Sequence, residues 1–183
     1  HLGVRVPRSN GRLVAAFARD ALAVLAQLVS PARMAARPAR DVDREIIAIM
    51  YERAQTQTTA SPTRFVFDSV ATLARLGRVD PSTVPGAGAM YAGAVGIFSY
   101  GGVSFAIGRR FLARARRLVR DDDVRDRVHY RMMSQLHHVL AGDWSDAHVA
   151  DEALLEDGLR YGRLWEVTNS LNLDGLRRLY RGD

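Results

Sequence analysis

The chain of 183 residues carries 26 basic and 20 acidic side chains, a net charge of +6, with 48% hydrophobic and 25% charged residues, the balance of a globular domain able to bury a core. All the basic residues are arginine, since no lysine occurs, so a lysine-dependent phosphate loop and Schiff-base chemistry are both excluded. The absence of cysteine removes disulfides, thiolate nucleophiles and cysteine-based zinc sites, and leans the expected compartment towards the cytoplasm.

Alanine, leucine and arginine favour helix throughout, and no run alternates as a strand would. Pro7-Arg8-Ser9-Asn10 is turn chemistry, and Ser9 or Asn10 can cap a helix carrying Leu13, Val14, Phe17, Leu22, Leu25 and Leu28 towards Ser30-Pro31. Pro31 to Arg40 reads as a linker, so residues 1–40 are expected to form an N-terminal helix and linker continuing an upstream domain. Residues 41–183 are expected to form a helical-repeat region that is cut off at its C-terminal end.

Within that region Asp41 or Asp43 starts a helix running to about Ala54. Pro62-Thr63 opens another that ends near Gly77, which suits a C′ position. Asp80-Pro81-Ser82 breaks the chain, and helices then follow at roughly 87–100, 103–119, 123–141, 144–157 and 162–181.

Gly102, Gly142 and Gly182 are spaced 40 residues apart, each between helix-like segments, a period within the range of helical solenoids. Gly142-Asp143-Trp144 with Ala147 supplies a left-handed terminus, a cap, and a bulky and a small residue to pack one helix onto its predecessor. Gly175 stands where helix-pair repeats keep a small residue for close approach. These residues, with Gly182, are the expected turn and packing positions.

Ser82 to Gly108 is uncharged and long enough to cross a bilayer, and Gly88, Ala92 and Gly96 have the spacing of close-packed membrane helices. Seven glycines and Pro85 lower its hydrophobicity, however, and two buried helices joined at Tyr100-Gly101-Gly102 account for the same residues. Arg109, Arg110, Arg114 and Arg117 mark a possible anion-contact face. With Arg116 and Arg120 they also suit the C-terminal end of a helix followed by Asp121, Asp122 and Asp123, and no aromatic residues interleave as a nucleic-acid binder requires. His137, His138, Asp143, Asp146 and His148 form a loose group without metal-site spacing, and Asp151, Glu152, Glu156 and Asp157 read as a solvated face. No catalytic residue, cofactor site or metal site is expected.

Leu2-Gly3, Val6-Pro7-Arg8-Ser9, Asp43 to Ala54 with Tyr51-Glu52-Arg53, Leu76-Gly77, Ala141-Gly142-Asp143-Trp144, Glu152-Ala153-Leu154 with Gly158 and Gly162, and Tyr180-Arg181-Gly182-Asp183 occur in an order that resembles a known group. This is the helical region following the ATPase module in large bacterial predicted-ATPase signalling proteins, often fused to an adenylate/guanylate cyclase or Ser/Thr protein kinase domain. The resemblance implies an all-α fold of antiparallel helix pairs stacked as a tetratricopeptide-like α-solenoid. It also implies a non-catalytic scaffold that relays binding of a protein, peptide or attached domain of the same chain, with the chemistry located elsewhere. The period of 40 departs from the ~34 of a strict tetratricopeptide. The rival readings are a membrane-associated helical domain anchored by 82–108 and a small all-α enzyme.

Overall fold

The computed structural model describes residues 10–29, 37–145 and 152–182, and over these the chain is all-helical with no strand. It divides into two compact units at Pro85/Gly86. The opening motif from Leu2 to Ser9, together with Asp146, Ala147, His148, Asp151 and Asp183, lies outside the described residues.

The N-terminal unit contains α1 (Asn10–Val29), α2 (Asp41–Thr56), α3 (Pro62–Leu76) and a 3-10 turn at Pro81–Thr83. Asp41 and Asp43 fall in the first turn of α2, where carboxylates suit the helix dipole, and Asp43 accepts a hydrogen bond from the Arg40 amide at 3.3 Å. Burial alone would raise the Asp43 carboxyl, but hydrogen bonds from Arg37 and Arg40 outweigh it and hold the group below its ordinary value. Ile46, Ile47 and Met50 of α2 and Val70, Leu73 and Leu76 of α3 supply the core of this helix hairpin. α1, the helix of the expected N-terminal helix and linker, packs on α3 within this unit. Phe17 meets Phe67 with ring centroids 4.5 Å apart, and Gln27 Nε2 donates to the Leu73 carbonyl at 3.1 Å.

Gly77 ends α3, but not in the left-handed conformation expected of it: its φ is −71°. Its smallness serves the neighbour instead, because a Cβ there would fall 2.0 Å from Gln27 Nε2.

The C-terminal unit contains α4 (Ala87–Ala92), α5 (Ala94–Phe98), α6 (Phe105–Arg116), α7 (Val124–Leu140), α8 (Glu152–Arg160) and α9 (Leu164–Arg181). The single helix expected over 87–100 is divided at Gly93, and Trp144 and Ser145, expected to begin a helix, are not helical. The turn expected at Tyr100-Gly101-Gly102 is present, and among the described residues no helix is long and apolar enough to cross a membrane.

Contacts fix the direction of these helices. Gly88, Gly93 and Ser99 meet Asp126, His129 and His137 in rising order, so α4–α5 and α7 run the same way. His129 and Gln135 likewise meet Glu166 and Ser170, so α7 and α9 run the same way. Contacts to α6 run in the opposite order, Gly88 to Val119, Tyr91 to Arg114 and Ser99 to Gly108, which makes it antiparallel to α4–α5. Gly102, Gly142 and Gly182 therefore follow the ends of like-directed helices, with φ of 69°, 79° and 79°, which only glycine adopts without strain.

The close approach expected at Gly175 does not occur. This glycine is exposed on α9, and a Cβ there would meet nothing within 4 Å. The close approaches are at Gly88, Gly108 and Gly158, where a Cβ would fall 2.7 Å from Asp126 Oδ2, 2.2 Å from Ser99 Oγ and 2.6 Å from Val167 Cγ2. Opposite outcomes are expected for two alanine substitutions. Gly88→Ala should destabilise by about 1–3 kcal/mol through overpacking, because its Cβ would also meet the Val119 backbone nitrogen at 2.9 Å. Gly175→Ala should stabilise by about 0.5–1 kcal/mol by removing a glycine from a helix interior. Denaturant melts of the two variants check both signs.

Candidate functional site

Four buried polar pairs hold the like-directed helices of the C-terminal unit in register. Asp126 on α7 accepts from the backbone amide of Ala89 at the start of α4. Ser99, just after α5, and His137 on α7 share a hydrogen bond of 2.8 Å between Oγ and Nδ1. His129 Nδ1 lies 3.2 Å from Glu166 Oε1 on α9, and Gln135 Nε2 donates to the Ser170 carbonyl at 3.1 Å. Ser99 and His137 are 2% and 1% exposed, with Gly108 of α6 covering the hydroxyl, so the pair is a cross-link between helices.

This register builds a groove of about 510 Å³ across α7, α9 and the turn after α5. Its floor is Leu136, Val139 and Leu173, with Asn169 and Asn172 supplying amides along one side. Its walls are Tyr100, Leu140, Trp144, Leu176 and Tyr180. Leu140, Leu176 and Tyr180 remain 40%, 42% and 57% exposed, a concentration of large apolar surface that single scattered leucines do not make. Trp144, expected to be largely buried on the preceding helix, is only half-buried. Its indole N–H donates to the Val139 carbonyl at 3.0 Å, and its ring stacks on Tyr180 at a centroid distance of 5.1 Å. Asp143 braces the turn leading to it, with Oδ1 accepting from the Ser145 amide at 3.3 Å and Oδ2 lying 3.1 Å from His138 Nδ1.

The four arginines read as an anion-contact face do not stay together. Arg109 and Arg117 line a groove of about 560 Å³ between α6 and α7 with Arg116, Tyr130, Ser134, His137 and His138. Arg114 turns inward, its guanidinium carbon 4.5 Å from the centre of the Tyr91 ring. Arg110 is exposed and lies outside that groove. Burial pushes the Tyr91 hydroxyl up to about 12 against the opposing charge of Arg114. The loose metal-ligand group also separates, His137 pointing to Ser99 and His138 to Asp143, and among the described residues no three His, Asp or Glu side chains are placed to hold a metal ion. Tyr130 and Ser134 were not singled out by sequence reasoning, whereas Arg116 belongs to the arginine cluster already noted, and Arg109, Arg116 and Arg117 have the i, i+7, i+8 spacing of one helix face.

No protein-family model, no curated protein and no solved structure matches this chain.

Because Trp144 is half-buried, Trp144→Ala should cost about 1–2 kcal/mol, less than the ~3–5 of a fully buried aromatic. A double-mutant cycle with Tyr180→Ala should return a coupling of about 0.5–1.5 kcal/mol for the stacked pair; chemical melts of the three variants measure both. The pH dependence rests on Glu166. Its burial alone would raise the carboxyl, but the His129 hydrogen bond and the Arg163 charge outweigh that and hold it below its ordinary 4.5. Its contribution to stability is therefore fully present above pH 4.5 and fades as pH falls through the lower folded value. Asp126 has the opposite sign, since burial raises it and keeping it ionised opposes folding. Glu166→Gln should flatten the acid limb of a stability-against-pH curve, and an unchanged limb would show that the loss comes from other carboxylates.

Proposed function

We propose that the chain is a non-catalytic interaction scaffold whose helix pairs stack as a tetratricopeptide-like α-solenoid. The support for stacking is the repeated offset of the buried pairs: 37 residues for Asp126 to Ala89, 38 for His137 to Ser99, 37 for Glu166 to His129 and 35 for Ser170 to Gln135. Each helix pair thus repeats the contacts of the one before it. The like-directed helices α4–α5, α7 and α9 form one layer, and successive glycine turns follow their ends.

The observation that carries the functional reading is the open aromatic and leucine groove over α7 and α9. Its floor is two helices pinned by buried hydrogen bonds, and its walls are two aromatic rings stacked before any partner arrives. Such a groove suits the apolar face of an amphipathic helix, with leucine or aromatic anchors at i, i+3, i+4 and i+7, and the asparagine amides can fix its polar edge. The helix would come from a protein partner or an attached domain of the same chain. In this reading the scaffold works in the cytoplasm as part of a signalling ATPase linked to cyclase or kinase output, coupling occupancy of the groove to those domains.

A helical-peptide display library selected on the purified chain tests this. Enriched peptides should carry the stated apolar spacing and bind with micromolar dissociation constants. Binding should weaken at least tenfold in Leu140→Glu/Leu176→Glu, whose substitutions lie at exposed positions and should leave the melting temperature unchanged. Peptides that bind parent and variant equally, or no enrichment at all, would reject the groove as the docking site.

A further inference from the structure

A third cavity, of about 450 Å³, lies wholly within the N-terminal unit between α1, α2 and α3, a size ordinary for small-molecule sites. Its middle is apolar, formed by Leu13 and Phe17 of α1, Met50 of α2, and Phe67 and Ala71 of α3. Around this middle stand Arg19, Arg53, Arg64, Arg75 and Arg78, against only two carboxylates, Asp20 and Asp68.

Both carboxylates are already answered. Asp20 takes Arg19 at 2.9 Å, and Asp68 takes Arg53 at 2.6 Å. Three guanidinium groups are left over. The carboxylate beside Arg75 is Asp43 at 3.8 Å, which Arg37 and Arg40 already hold at 3.0 and 3.2 Å. Arg64 and Arg78 have no carboxylate partner among the described residues. Among the described residues the Nε groups of Arg53 and Arg75 and Oδ2 of Asp68 are enclosed and meet no hydrogen-bond partner.

We propose that this cavity binds a small phosphate monoester with an aromatic or aliphatic body. The body lies against Phe17, Met50 and Phe67, and the phosphate sits at the start of α3 beside Arg53 and Arg64. Three features favour phosphate at that end. Arg53 and Arg64 offer planar guanidinium groups suited to its oxygens. Ser61 and Thr63 line the cavity with hydroxyls, and Ser61 makes no side-chain capping bond. The first hydrogen bond of the helix runs from the Phe65 amide to the Ser61 carbonyl at 2.9 Å, so the Thr63 and Arg64 amides have no acceptor within the helix. Arg75 with Arg78 adds positive potential that draws the anion in. This site is independent of the groove over α7 and α9.

The probe is 1-naphthyl phosphate, titrated calorimetrically into the full chain, with inorganic phosphate and 1-naphthol as the two half-ligands. The ester should bind at least tenfold more tightly than inorganic phosphate, and 1-naphthol should not saturate over the same range. Arg64 is exposed and has no carboxylate partner among the described residues, so Arg64→Gln should keep the parental melting temperature while weakening the ester at least fivefold. Arg109→Gln, in the basic groove of the other unit, should bind as the parent does. No saturable binding of the ester, naphthol binding as tightly as the ester, or a loss in Arg109→Gln with none in Arg64→Gln would each overturn the proposal.

Discussion

The C-terminal unit depends on one constraint: a few buried polar groups must meet across helix pairs that approach too closely for any side chain but glycine's hydrogen. Asp126 reaches the start of α4 because Gly88 leaves room for it, and Ser99 reaches His137 because Gly108 does. Each hydrogen bond contributes only about 0.5–1.5 kcal/mol net, whereas a buried partner left alone costs about 1–3 kcal/mol. The pairs therefore act mainly on register. Sliding α7 by one turn would preserve much of the apolar burial of Val128, Met132 and Met133 but would orphan all four pairs together.

Register in turn determines what reaches the surface. Tyr100 follows α5, Trp144 follows α7 and Tyr180 closes α9, so three aromatic residues at the ends of like-directed helices are brought to one groove. A tryptophan with its N–H tied to the Val139 carbonyl and its ring laid on Tyr180 is held open as a wall and does not fold into the core. That geometry is why its half-exposure is compatible with a defined orientation.

The helical class was legible in the sequence, and so were the glycine turns, since Gly102, Gly142 and Gly182 mark helix ends by a backbone preference that is local. Glycines serving a long-range approach left no such mark. Gly88, Gly108 and Gly158 stand inside helices, and nothing nearby in sequence distinguishes them from Gly175, which faces open space. Gly77 ends α3 as its position suggested, but what requires a glycine there is the seat it leaves for Gln27, fifty residues earlier in the chain. The division of 87–100 at Gly93 escaped for a related reason: the segment is so uniformly small and apolar that it offers no amphipathic period to read.

Arginine is the chain's only strong cation, and its placement shows how a fold redistributes charge. The six arginines crowded between 109 and 120 looked like one surface, yet helical geometry sends Arg114 inward over Tyr91, leaves Arg110 apart and ties Arg120 to Asp122 at 2.8 Å. Arg53, Arg64, Arg75 and Arg78 are scattered over two helices and a turn and were not read as a group, yet they gather around one cavity because Arg64 and Arg75 follow the same side of α3 as Phe67, Asp68 and Ala71, and Arg78 comes from the turn just after it. Flat guanidinium groups make both outcomes possible, since they can lie on an aromatic face or share a carboxylate edge-on where a lysine ammonium would demand fuller hydration. Local charge density along the sequence therefore measures how many cations a helix must disperse, whereas a site for an anion arises where separate elements leave guanidinium groups without enough carboxylates to answer them.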